Sequence, residues 1–144
     1  MEKELDNILE EVDVLFSQPK LKSVLSNHTL DDLNSYSDAC VILNEKVLRD
    51  ADYSKQIKTI VKAANFIDNN NQVWIADWKN HQQYKYAAYF IDNGSGFGLG
   101  GVNGGVNFWL SFTSSPLGFF YKESKTAELI TNRFIKLYLN WLQK

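Results

Sequence analysis

Apolar residues recur at three- and four-residue steps through the first half of this chain, and at two-residue steps through parts of the second. Leu5, Ile8, Leu9, Val12, Leu15 and Phe16 form one helix face, with Glu10, Glu11 and Asp13 opposite. Pro19 ends that helix, because proline disfavours helical geometry in the residue before it. A short helix is expected from Thr29, with Asp31 and Asp32 at its positive end. SYSDACVILN predicts another, capped by Ser35 or Ser37 and burying Ala39, Cys40 and Leu43. A longer helix carries Tyr53, Ile57, Ile60, Val61, Ala64 and Ile67 on one face and stops at Asn69-Asn70-Asn71.

The period changes at Gln72. VWIADW (73–78) and KYAAYFI (85–91) have the bulky, aromatic make-up of strands, and Asp92-Asn93-Gly94 is a hairpin turn signal. After a glycine-rich stretch, Val106, Phe108, Leu110 and Phe112 alternate with Asn107, Trp109 and Ser111, the mark of a strand with one buried face. Ser114-Ser115-Pro116 turns the chain into LGFFYK, a further strand. From Ser124, read as an N-cap, Ala127, Ile130, Phe134, Leu137, Tyr138 and Trp141 make one apolar stripe, with Lys125, Arg133 and Lys136 off it. The expected architecture is α+β: N-terminal helices, a small antiparallel sheet, and a C-terminal amphipathic helix packed on the sheet. Residues 1–144 read as a single domain, helical over 1–71 and sheet plus helix over 72–144.

Composition sharpens the contrast between the halves. The 144 residues carry a net charge of −2, but 1–73 hold 8 Lys/Arg against 13 Asp/Glu, and 74–144 hold 7 against 4. Of the 20 aromatic residues, 16 lie between Trp74 and Trp141. The apolar runs are too short for a membrane span and the acidic start is unlike a signal peptide. The expectation is a cytoplasmic protein without membrane attachment. Its one cysteine, Cys40, can form no internal disulfide.

GFGLGG (96–101) fits the G-x-G-x-x-G pattern of nucleotide-binding loops. Such a loop needs a following helix whose N-terminus faces the phosphates, yet strand periodicity follows here. A Walker loop would need Gly-Lys-Ser/Thr, which is missing. The glycines read better as a bulged hairpin tip among aromatic neighbours. Gly96, Gly98, Gly100, Gly101 and Asn103 remain a candidate contact loop, and a small ligand or nucleotide held there with Lys85 or Lys122 is one alternative reading.

Catalytic chemistry is thinly provided for. His28 and His81 stand 53 residues apart without acids or cysteine at ligand spacing, so neither metal nor cofactor is expected. Cys40 lies in an apolar helix pattern and reads as core. Asp77, between tryptophans, is the best single candidate for an acid or base, and a turn-forming aspartate is the commoner role. Lys79, Lys85, Lys122, Lys125, Arg133 and Lys136, with Tyr84, Tyr86, Tyr89 and Phe97 as stacking platforms, define an RNA or single-stranded DNA alternative. The modest positive charge weighs against it. Tyr84, Tyr86, Tyr89 and Trp109 cannot all enter one core: either the N-terminal helices cover the other sheet face, or these residues form an interface, where Tyr and Trp are common. The residues expected to make contact are therefore Tyr84, Lys85, Tyr86, Tyr89, Phe97, Trp109 and Lys122.

Asp38-Ala39-Cys40, the Trp74, Asp77, Trp78 and Asn80 stretch, Lys85-Tyr86 with Tyr89-Phe90, and Gly96-Phe97-Gly98 occur in this order. Tyr121-Lys122 and the Phe134, Leu137, Tyr138 helix follow them. Over roughly residues 35–144 this order resembles a group of small proteins common in Bacteroidota genomes, their phages and other mobile elements. Ala87-Ala88 replace the group's usual Tyr-Pro, and the glycine-rich insert after Leu99 and the first 30 residues depart from its pattern. The resemblance implies a mobile-element accessory protein. The implied activity is non-enzymatic anti-defence inhibition, of anti-CRISPR type, by binding a host effector protein or ribonucleoprotein.

Overall fold

The computed structural model describes residues 27–92, 94, 96–106 and 119–143. The helix expected over Leu5–Phe16, Trp109 with most of its strand, and the Ser114-Ser115-Pro116 turn lie outside the described residues.

A single 3₁₀ turn at Leu30–Asp32 opens the described chain, held by the Thr29 N–H donating to the Asp32 carboxylate at 2.9 Å. Helix α1 spans Tyr36–Leu43. Its cap is Ser35, whose hydroxyl accepts the Asp38 N–H at 3.0 Å. It ends where Asn44 turns left-handed, φ 55°. Ala39, Cys40 and Ile42 are its buried residues, and Leu43, expected in the core, packs at the margin. Helix α2, Tyr53–Asp68, starts from Asp52, whose carboxylate accepts the Lys55 N–H at 2.8 Å. Its predicted face is buried through Ile57, Ile60, Val61 and Ala64, and Asn70 and Asn71 at positive φ end it.

The chain forms no strand over 73–84. Turns are closed there by Asn80 N–H to the Asp77 carbonyl at 3.2 Å and by Gln83 N–H to that of Asn80 at 3.3 Å. The carboxylate of Asp77 accepts the Lys79 N–H, and the Asn80 side-chain oxygen accepts that of Gln82. With its side chain, Gln83 ties the run to itself, donating to the Ile75 carbonyl at 3.0 Å and accepting from Asp77 N–H at 2.6 Å. VWIADW was expected to be a strand, but Gln83 takes up its Ile75 carbonyl and Asp77 N–H, and Asp77 and Asn80 turn the chain directly after it.

Strand β1, Lys85–Asp92, pairs antiparallel with β2, Phe97–Gly105. The glycine stretch is thus a paired strand rather than a hairpin tip. Register shifts between Tyr89 and Phe90, where Gly100 is the extra residue opposite, so the expected bulge sits within the ladder. Among the described residues the opposite edge of β1 is met at one point: Tyr86 and Tyr121 exchange backbone hydrogen bonds of 2.9 and 2.7 Å. That bridge is all of the LGFFYK strand that forms among the described residues.

The last helical segment starts one residue from its predicted cap, with Glu123 at the N-cap and Ser124 inside the helix. It breaks at Phe134 (φ −107°, ψ 26°) into α3, Ser124–Arg133, and α4, Ile135–Leu142. Ala127, Ile130 and Tyr138 are buried against Ala88 and Phe90 of β1 and the α1–α2 layer. The architecture is α+β, with the C-terminal helices packed on a two-stranded antiparallel sheet. The Arg133 guanidinium donates to the carbonyls of Leu30 and Leu33, the latter at 2.8 Å, joining the end of α3 to residues a hundred positions earlier.

Candidate functional site

Three glycines of β2, Gly100, Gly101 and Gly104, are explained by the tyrosines of β1. A Cβ on Gly104 would lie 2.5 Å from Cδ1 of Tyr86, and one on Gly100 would lie 2.7 Å from Cδ2 of Tyr89. At Gly101, which also has φ +155°, it would meet the Tyr89 hydroxyl at 2.8 Å. The rings lie across their strand partners, a known way for an aromatic to cover a glycine in a sheet. At Gly96 and Gly98, by contrast, an added Cβ would meet nothing within 4 Å, so the tyrosines account for Gly100, Gly101 and Gly104 alone.

Trp109 lies outside the described residues, and Tyr84, Phe97, Lys122 and Lys85 do not converge. Tyr84, 60% exposed, stacks on Tyr86 with centroids 6.2 Å apart at one end of the hairpin. Phe97 is at the other end, opposite Asp92 and roughly 25 Å along the strand. Lys122 is half-buried and bridged to Glu123 at 3.3 Å. Lys85, expected at the surface, is 0% exposed. Its ammonium donates to the carbonyls of Gln83 at 2.9 Å and of Asn80 and Val106 at 3.4 Å, and lies 5.0 Å from the Trp78 ring centroid. Three carbonyls match its three N–H groups, which is how a chain buries an ammonium without a carboxylate.

Asp77 is exposed, so the burial that would have made it an acid or base is missing. Cys40 is buried, as its pattern predicted. Among the described residues no three His, Cys, Asp or Glu side chains are grouped to hold a metal ion. The strongest perturbations of acidity are structural. Tyr121 and Tyr138, both in the core, share a 2.9 Å hydroxyl–hydroxyl bond. Burial pushes Tyr121 up to about 12 and Tyr138 well above its ordinary value. At the end of α2, burial raises the Asp68 carboxyl. The Thr126 hydrogen bond opposes that rise, the Glu123 charge adds to it, and Lys122 counters.

Hydrophobic surface gathers elsewhere, in a groove of about 570 Å³ between α2 and the 73–78 run. Lys58, Val61, Lys62 and Asn65 contribute the helical wall, and Val73, Trp74, Ile75 and Trp78 the other. Phe120 lies at its base, its ring edge-on to Trp78 with centroids 4.9 Å apart. Val73 is 58% exposed, Ile75 73% and Trp78 42%, so three large apolar groups stand open along six residues. Asn65 holds the base in place: its amide donates to the Phe120 carbonyl and accepts the Lys122 N–H, each at 2.8 Å. Lys58 and Lys62, one helical turn apart, are exposed, with Lys62 bridged to Glu45. Among the described residues no carboxylate lines the groove.

Reading the run as a strand hid this groove from sequence analysis. The usable signal was Asp77-Trp78-Lys79-Asn80, whose two turn-forming side chains stop pairing directly after an apolar cluster. Comparison of the chain with protein-family models, curated proteins and solved structures finds no match. Among the described residues no helix is long and apolar enough to cross a membrane.

Proposed function

We propose that this chain is a non-enzymatic binding protein whose docking surface is the groove between α2 and residues 73–78. Its occupant is an apolar segment of a partner protein flanked by carboxylates. The observation that carries this reading is the open Val73, Ile75 and Trp78 row facing a lysine-bearing helix, with no acid in the lining among the described residues. Exposed tryptophan beside aliphatic groups is the make-up of interface hot spots, and the cations favour an acidic partner by charge complementarity. The sequence resemblance supplies the setting: the partner class it implies is a host defence effector, protein or ribonucleoprotein, which this chain would disable by occupying its surface.

The test is capture of a partner from host lysate with nuclease present, followed by affinity measurement with two variants at exposed groove positions. Ile75→Asp and Lys58→Glu should each weaken binding by about 10–30-fold, whereas Tyr84→Ala at the hairpin end should leave it unchanged. A complex that disappears with nuclease, or that Tyr84→Ala weakens while Ile75→Asp does not, would return the weight to nucleic acid and the hairpin aromatics.

A further inference from the structure

The groove wall is a loop without a strand partner, yet it ends in a side chain that must be held firmly if the groove is to keep its shape. Trp78 has two fixed neighbours. Phe120 meets it edge-on, and the Lys85 ammonium lies 5.0 Å from its ring centroid. Lys85 is the first residue of β1, and its other contacts are the carbonyls of Asn80 and Gln83 in the loop and Val106 just past β2. One fully buried cation therefore ties the 78–85 stretch, with its indole, to the chain just past β2.

We propose that Lys85 is the positioning residue of the groove: its ammonium fixes the Trp78 ring by a cation–π contact while binding the loop behind it. Lys85 has that role only if the groove is the binding surface. The chemistry favours a lysine here. A methionine of similar length would fill the space but give the three carbonyls no donor and the ring no cation. The ammonium side of the contact is fully buried, and cation–π attraction is strongest where water does not compete.

Fluorination of the indole tests this without disturbing the fold, because each added fluorine weakens the ring's negative face and leaves its shape nearly unchanged. Tryptophan carrying one to four fluorines is placed at position 78 of the full chain, and separately at position 74 as control. The thermal midpoint and the affinity for 8-anilinonaphthalene-1-sulfonate, an apolar anion suited to the groove, are measured for each. At position 78 the midpoint should fall stepwise, by about 2–8 °C over the series. The probe's dissociation constant should rise in parallel, and both slopes should vanish in Lys85→Met. At position 74 both should stay flat. A flat series at 78, or equal slopes at 74 and 78, overturns the role of Lys85 and leaves the groove reading standing. A midpoint that falls with unchanged probe affinity reduces Lys85 to a structural residue. A wild-type chain that binds no probe removes the groove, and the positioning role with it.

Discussion

Replacing Gly104 by alanine tests whether the glycines of β2 are there for the tyrosines of β1. Gly104 does not require a left-handed backbone, so nothing but its neighbour argues against a side chain. The added Cβ would stand 2.5 Å from Cδ1 of Tyr86, against an ordinary carbon–carbon separation of about 3.5–4.0 Å. The ring would have to move by about 1 Å, away from its stack on Tyr84 and its place beside the core. Overpacking of this size costs about 1–3 kcal/mol. The loss of unfolded-state freedom on going from glycine to alanine returns about 0.4–1 kcal/mol. Gly104→Ala should therefore destabilise by about 1–2 kcal/mol, lowering the thermal midpoint by about 3–8 °C. The decisive assay is a double-mutant cycle by urea unfolding. In a Tyr86→Ala background the same substitution should be neutral or mildly stabilising, giving a coupling of about 1–3 kcal/mol. Equal costs in both backgrounds, with coupling below about 0.5 kcal/mol, would refute the explanation and leave the glycine unaccounted for.

Two further substitutions probe how the groove's base and the end of α2 are held. Asn65→Leu strips the Phe120 carbonyl and Lys122 N–H of their partner. It should cost about 2–4 kcal/mol, read as a lower urea midpoint. Asn65→Asp should recover only part of that, because it keeps the acceptor for Lys122 but sets a carboxylate against the Phe120 carbonyl, and full recovery would show that the donor half of the clip is idle. Asp68 has its carboxyl raised by burial, so its contribution to stability is present below the unfolded value near 3.8 and lost as pH rises through the folded one. Asp68→Asn should thus gain over the parent at neutral pH and converge with it toward pH 3.5, and a gain independent of pH would contradict the assigned cause.

What could be read from residues alone was whatever depends on near neighbours in sequence. The face of α2, the Ser35 cap and the asparagine stop are local, since i, i+3 and i+4 spacing and a hydroxyl three residues from an N–H need no tertiary knowledge. Two failures turn on what folds against a residue rather than on its type. Lys85 looked like a surface cation, and the turn that aims the Asn80 and Gln83 carbonyls at it, with Val106 arriving from past β2, gives it a reason to be buried. The glycine stretch looked like a tip because glycine weakens strands, but paired with Tyr86 and Tyr89 it is the only residue type that fits. The 73–78 run failed differently. Its composition suits a strand, but composition says nothing of whether a neighbouring strand exists, and here Gln83 supplies the hydrogen bonds instead.

The clamp of Arg133 on Leu30 and Leu33 sets a timetable for the chain as it is made. Leu33 is buried in a core that also contains Ala127, Ile130 and Tyr138, and its carbonyl is held from a hundred residues downstream. At about 5–20 residues per second, a ribosome needs roughly 5–20 s to synthesise that interval. Over that time α1 and α2 can form and pack on each other, but the surface that α3 and α4 will cover stays open. Until α3 and α4 are made, the apolar side of α1 and α2 that they cover faces water, and slow translation of that interval would lengthen the exposure.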